Sequence, residues 1–137
     1  MKLYRIVIIV ILLGLMGCAA HRIKESIIRY QGVANEIQIG DSKNKVLSIL
    51  EPTQRRLRWA WRKMPEKYMK NGVLVEIYFF RTALHPDGLT TDDEFTPYIF
   101  NDGLLVAIGW TAIGGPKTQG QVIPQTNVNV HQKIVVY

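Results

Sequence analysis

Thr96-Pro97-Tyr98-Ile99-Phe100-Asn101-Asp102-Gly103-Leu104-Leu105-Val106-Ala107-Ile108-Gly109-Trp110-Thr111 is the stretch whose reading decides the fold. Two apolar runs flank Asp102-Gly103, a dipeptide suited to a two-residue turn with positive φ at both central positions. The stretch therefore predicts an antiparallel hairpin, with strands over 96–101 and 104–111. Upstream, Val73 to Arg81 reads as another strand, apolar on both faces except for Glu76. Between them, residues 82–94 form a long loop, with Pro86, Asp87 and Gly88 supplying turn chemistry.

Further upstream, residues 55–62 alternate. Leu57, Trp59 and Trp61 share one side, and Arg56, Arg58, Ala60 and Arg62 the other. Period two is the strand period, so a half-buried strand is expected here. Asn71-Gly72 closes a loop that starts near Lys63. Before these, Ile39 to Pro52 reads as turn, helix and stop. Asp41 or Ser42 caps the first amides, Val46, Leu47, Ile49 and Leu50 form the apolar face, and Pro52 ends it. Ile23, Ile27, Tyr30 and Ala34 lie on one stripe of an earlier helix that Gly32 weakens.

Helices followed by strands predict an α+β domain. Two N-terminal helices pack on one face of a three- to four-stranded antiparallel sheet. The covered face is expected to carry Trp59, Trp61, Val75, Ile77 and Phe79. The other is left with Arg56, Arg58, Arg62, Glu76, Tyr78 and Phe80. Gly114-Gly115-Pro116 ends the regular pattern. The tail 117–137 is polar until Ile134-Val135-Val136-Tyr137, which suits an edge strand.

At the other end, Lys2 and Arg5 precede an uncharged run of 15 residues, Ile6 to Ala20. Cations, a short apolar segment and small residues are the pattern of a secretory signal peptide. The run is short beside the roughly 20 residues of a membrane span. Leu15-Met16-Gly17-Cys18 resembles the lipobox of bacterial lipoproteins. That resemblance implies a diacylglyceryl group on Cys18 and cleavage before it. Two or more acyl chains hold a small domain stably on a membrane, at about 0.8 kcal/mol per buried methylene. The alternative is an uncleaved inner-membrane anchor with Cys18 as a small buried hydrophobe. The chain then divides into a signal at 1–17, a lipidated tether at 18–22, an α+β domain at 23–116 and the tail. Ala19 after the cysteine resembles lipoproteins sent to the outer membrane, where this one is expected to face the periplasm.

Cleavage leaves 120 residues and a net charge of +4, down from +6. That suits a single domain. The charge is too small to argue for nucleic acid. With Cys18 the only cysteine, no intramolecular disulfide staples the fold.

The mature chain resembles the SmpA/OmlA family of small outer-membrane lipoproteins. Gly40, Val46, Leu50 and Pro52 match the family motif that enters the second helix. Phe100-Asn101-Asp102-Gly103-Leu104-Leu105 matches its late hairpin. Asp41 stands in place of the family methionine and Glu51 in place of the glycine before the proline. The resemblance spans roughly residues 23–111. It implies helices on one face of a three-stranded antiparallel sheet, and a role in envelope assembly without catalysis.

The residues themselves offer no catalytic set. His21, His85 and His131 lack ligand spacing, and Asp92-Asp93-Glu94 lacks the alternation of an EF-hand loop. Ser42 has no base beside it. Gly114-Gly115-Pro116-Lys117 reads as a turn. No metal and no cofactor are expected. Arg58, Arg62 and Tyr78 on the open sheet face are the candidate partner-binding residues, since Arg and Tyr are enriched at interfaces. The leading expectation is an envelope protein partner. The alternative is an anionic envelope ligand, such as lipid, lipopolysaccharide or peptidoglycan, on a basic sheet face.

Cys18→Ser is expected to block both acylation and cleavage. Intact mass of the wild-type protein is the check, because a species that keeps residues 1–17 and carries no acyl chain contradicts the lipobox.

Overall fold

The computed structural model describes residues 19–116. Cys18, the signal segment and the tail from Lys117, with its expected edge strand, lie outside the described residues. Helix α1 occupies 19–33, so residues 19–22, expected as a tether, are already helical. A 3-10 turn, Ala34–Glu36, follows. Helix α2 is Lys43–Gln54. The sheet has four strands, β1 Glu66–Lys70, β2 Val73–Arg81, β3 Phe95–Asn101 and β4 Leu104–Ile108, in the order β1-β2-β3-β4. Every neighbouring pair is antiparallel. The fold is α+β, with two helices preceding an antiparallel sheet.

Ser42 caps α2, accepting from the Lys45 amide at 3.3 Å. The chain before the cap runs along β4. The Gly40 amide donates to the Leu105 carbonyl and the Lys43 amide to Gly103, both at 2.7 Å, while Leu105 donates to Asp41 at 2.9 Å. This bonding brings α2 onto the sheet. The stop expected at Pro52 comes two residues later. A proline keeps helical φ and removes only one amide. Beyond it, Thr53 donates to the Leu50 carbonyl at 2.6 Å, and both Thr53 and Gln54 are buried.

Val46 and Leu50 of α2 pack on Phe80, Tyr98, Phe100 and Leu105, with Tyr30, Val33 and Tyr78 against the same cluster. Phe80 meets Tyr98 edge to face at 5.4 Å, and the Tyr98 and Tyr30 hydroxyls lie 2.8 Å apart, joining α1 to β3. Burial pushes the Tyr98 phenol well above its ordinary pKa. The helices thus cover the Tyr78 and Phe80 side of β2, opposite to the side expected. The reverse side is apolar too: Val75, Ile77, Phe79, Phe95 and Ile99 form a second cluster, closed by Trp110 stacked on Phe79 at 5.6 Å. Among the described residues the sheet has no open, polar face of the kind expected.

The strand expected over 55–62 is also corrected. Trp59–Trp61 is a 3-10 turn, and Trp59 is 85% exposed. Arg62 fixes this turn by donating back to the carbonyls of Gln54 at 2.5 Å and Leu57 at 3.1 Å. A cation that satisfies carbonyls at a helix C-terminus favours the helix end over a strand. The missing strand is β1, whose residues are exposed along its whole length. Asn71-Gly72 is its hairpin turn to β2, with φ of 52° and 80°.

Asp102-Gly103 turns the β3–β4 hairpin with φ of 48° and 80°. Nothing lies within 4 Å of a Cβ built on Gly103, so only the backbone restricts that position. Gly103→Val is expected to destabilise the protein by about 1–3 kcal/mol, because a β-branched residue is strained at positive φ. Urea unfolding of the two proteins measures this.

Candidate functional site

Three short segments converge beside the end of β2. Glu51, Gln54 and Arg55 come from the C-terminal turn of α2 and the residue after it. Arg62, Lys63, Met64 and Pro65 come from the segment entering β1. Tyr78, Phe79 and Phe80 form the floor. Together they line a cleft of about 320 Å³, near the lower end of ligand pockets.

Its walls are held by a buried ion pair. Arg81 donates to Glu94 at 2.7 Å, and both side chains are essentially inaccessible. The same guanidinium donates to the Trp61 carbonyl and the Thr90 hydroxyl at 3.3 Å, and to the Ala83 carbonyl at 3.4 Å. Glu94 accepts from the His85 amide at 2.8 Å and the Thr91 amide at 3.1 Å. The Trp59–Trp61 turn and both ends of the 82–94 loop therefore hang from one pair. The Gln54 side chain adds α2 to it, accepting from the Arg81 amide at 3.0 Å.

The rim is basic. Lys63 is neutralised by Asp92 at 3.1 Å and lies 4.7 Å over the Phe79 ring. Among the described residues, Arg62 bonds only carbonyls. Arg55 has no acidic partner among the described residues. Glu51 is the one carboxylate in the lining.

Of the expected site residues, Arg62 and Tyr78 meet in this cleft, Tyr78 from the helix-covered side of β2 and Arg62 from the segment before β1, rather than together on an open sheet face. Arg58 stands on the neighbouring turn with its guanidinium 5.3 Å over the Trp61 ring. Arg56 is engaged by Glu25 of α1 at 2.8 Å. That bond, with Arg29 also present, holds the Glu25 carboxyl below its ordinary pKa. Arg55, Lys63 and Met64 were not expected at a site, and Trp59, expected on the covered sheet face, is exposed instead. The signal for them is the cluster Arg55-Arg56-Leu57-Arg58-Trp59-Ala60-Trp61-Arg62-Lys63, which contains no acid.

Glu76 sits on the helix-covered side of β2, next to the cleft and 1% exposed. It accepts from Lys43 of α2 at 2.6 Å and from Lys67 of β1 at 2.7 Å. These two ammonium groups, Lys43 first, hold its carboxyl below the ordinary 4.5. The Lys67 ammonium is raised above 10.5, chiefly by its bond to Glu76.

Among the described residues, no group of three or more His, Cys, Asp or Glu is placed to hold a metal ion. Among them too, no helix is long and apolar enough to cross a membrane.

The fold and cleft define a small two-helix, four-strand α+β module. Residues 24–114 match the family described as "Protein of unknown function (DUF3192)", and the chain belongs to that family. No curated protein and no solved structure matches it.

The two pKa shifts set a pH window. A depressed Glu76 stabilises the fold above about pH 4.5, and the contribution is lost as pH falls through its folded value. A raised Lys67 stabilises below about pH 10.5, with loss as pH climbs through its folded value. The stability gap between wild type and Glu76→Gln is therefore expected to be widest between these limits and to shrink outside them. Urea unfolding across the pH range measures it.

Proposed function

We propose that the protein is a non-enzymatic binding module of the bacterial envelope. A lipid on Cys18 holds it at the periplasmic face of the outer membrane. It contacts a protein partner through the Arg55–Met64 turn and the cleft beside it. The observation that carries this reading is Trp59, 85% exposed in a segment rich in arginine. Met64 in the same segment is 75% exposed, and Trp, Tyr and Arg dominate binding hot spots. Tyr78, Arg55 and Arg62 lie in the cleft next to that turn. The signal-like N-terminus, the lipobox and the resemblance to the SmpA/OmlA family support the location and the absence of catalysis.

The cluster of cations also favours a second reading, an anionic envelope ligand held by charge. Salt separates the two. A charge-held ligand is released as screening shortens to about 8 Å at physiological ionic strength, whereas an interface built on buried aromatic surface persists.

A photoreactive residue at position 64, in living cells, provides the test. The expected result is a covalent adduct with one envelope protein that Trp59→Ala abolishes. Trp59→Ala itself should change stability by within about 0.5 kcal/mol, since the ring is exposed. An adduct with lipid or glycan alone favours the second reading. A protein adduct that Trp59→Ala leaves intact rejects this turn as the interface.

A further inference from the structure

β2 outruns its neighbour. β1 begins at Glu66, opposite Ile77, and Pro65 before it has no amide hydrogen to extend the ladder. β2 continues from Tyr78 to Arg81. Along an antiparallel strand, alternate residues turn both backbone groups to the same neighbour. Leu74 turns to the β3 side, where its carbonyl accepts from the Asp102 amide at 2.9 Å. Arg81, of opposite parity, turns to the β1 side. There its amide donates to Gln54 Oε1 at 3.0 Å and its carbonyl accepts from Gln54 Nε2 at 3.5 Å. The Gln54 amide thus stands in for a peptide group of a neighbouring strand. Phe79 shares the parity of Ile77 and Arg81, so its N–H and C=O point off the same edge, into the cleft. Residues 62–65 make no backbone bond to it.

We propose that Phe79 pairs with one residue of an extended segment of the partner protein, and that an adjacent acidic side chain of that segment lies against Arg55 and Arg62. This deepens the binding-module reading and rests on it. A donor and an acceptor side by side match a peptide group, which offers the complementary pair. A phosphate headgroup only accepts, and leaves the Phe79 carbonyl unmatched. Strand alternation puts the side chain next to the paired residue on the side that α2 covers, where Tyr78 and Phe80 form the floor. Arg55 and Arg62 stand at the cleft there without a carboxylate partner among the described residues.

The test uses the full-length protein in detergent micelles, with amide exchange read by NMR. The probe is acetyl-Thr-Val-Glu-Val-Thr amide, compared with the same peptide N-methylated at both valines. The Phe79 amide is expected to exchange at least tenfold faster than those of Ile77 and Arg81 in the unliganded protein, and to become protected by the probe. Arg55→Glu is expected to weaken the probe about tenfold, and N-methylation to abolish protection. Probe binding that leaves Phe79 unchanged overturns the proposal, as does no response at millimolar probe. A Phe79 amide already protected, and released when residues 117–137 are removed, also overturns it, because the chain then covers its own edge. Photocrosslinking from position 64 with unaltered Phe79 exchange sinks this inference alone; loss of both results sinks the binding module as well.

Discussion

The Arg81–Glu94 ion pair is the constraint on which the irregular half of the structure depends. Removing one partner of such a pair leaves a buried charge without compensation, at a cost of about 3–5 kcal/mol. The pair therefore has to form, and its remaining hydrogen-bonding capacity has to be filled. The Trp61 carbonyl, the Ala83 carbonyl and the Thr90 hydroxyl fill it on the arginine side; the His85 and Thr91 amides fill it on the glutamate side. The loop 82–94 is long, yet its base is closed by Thr82 and Ala83 amides donating to the Glu94 carbonyl at 2.9 and 3.1 Å. One buried pair thereby positions the walls of the cleft without a regular element on that side.

The sheet has two apolar sides, and this shapes where binding can occur. α1 and α2 cover one side through Tyr98, Phe100 and Phe80, and Trp110 folds under the other against Phe79. The proposed contact is accordingly placed at an edge and a turn. The cleft lies where a short exposed strand stops beside a long buried one. Pro65 marks the stop, and Gln54 takes over the ladder at Arg81, four residues beyond the last β1 pair at Ile77.

The charges of the domain sort by their partners. Glu76, Asp41 and Glu25 each meet cations and are held in the charged form. Around the cleft the balance reverses. Arg62 is bonded to carbonyls and Arg58 lies over an aromatic face, so neither charge is offset by a carboxylate among the described residues. That contrast separates the structural ion pairs from the surface proposed here to meet an acidic segment.

Local chemistry in the sequence was sufficient wherever neighbours in the chain are neighbours in the structure. Asp102-Gly103 dictates its turn because only small or flexible residues tolerate consecutive positive φ. Ser42 caps α2, and Val46 and Leu50 form its buried stripe, because capping and helical spacing are local properties. Helices before strands made the α+β class legible. Tertiary structure decided the rest. Which side of β2 faces the helices depends on register with Tyr98 and Phe100. A lone glutamate in an apolar run marks the solvent side only if no distant cation reaches it, and Lys43 does. The alternation of tryptophan and arginine at 57–62 follows strand period, but Arg62 bonding to Gln54 and Leu57 makes it a turn. β1 carried no apolar alternation to betray it, being exposed throughout. The cleft itself is a product of strands of unequal length, a quantity that exists only once β1 and β2 are paired.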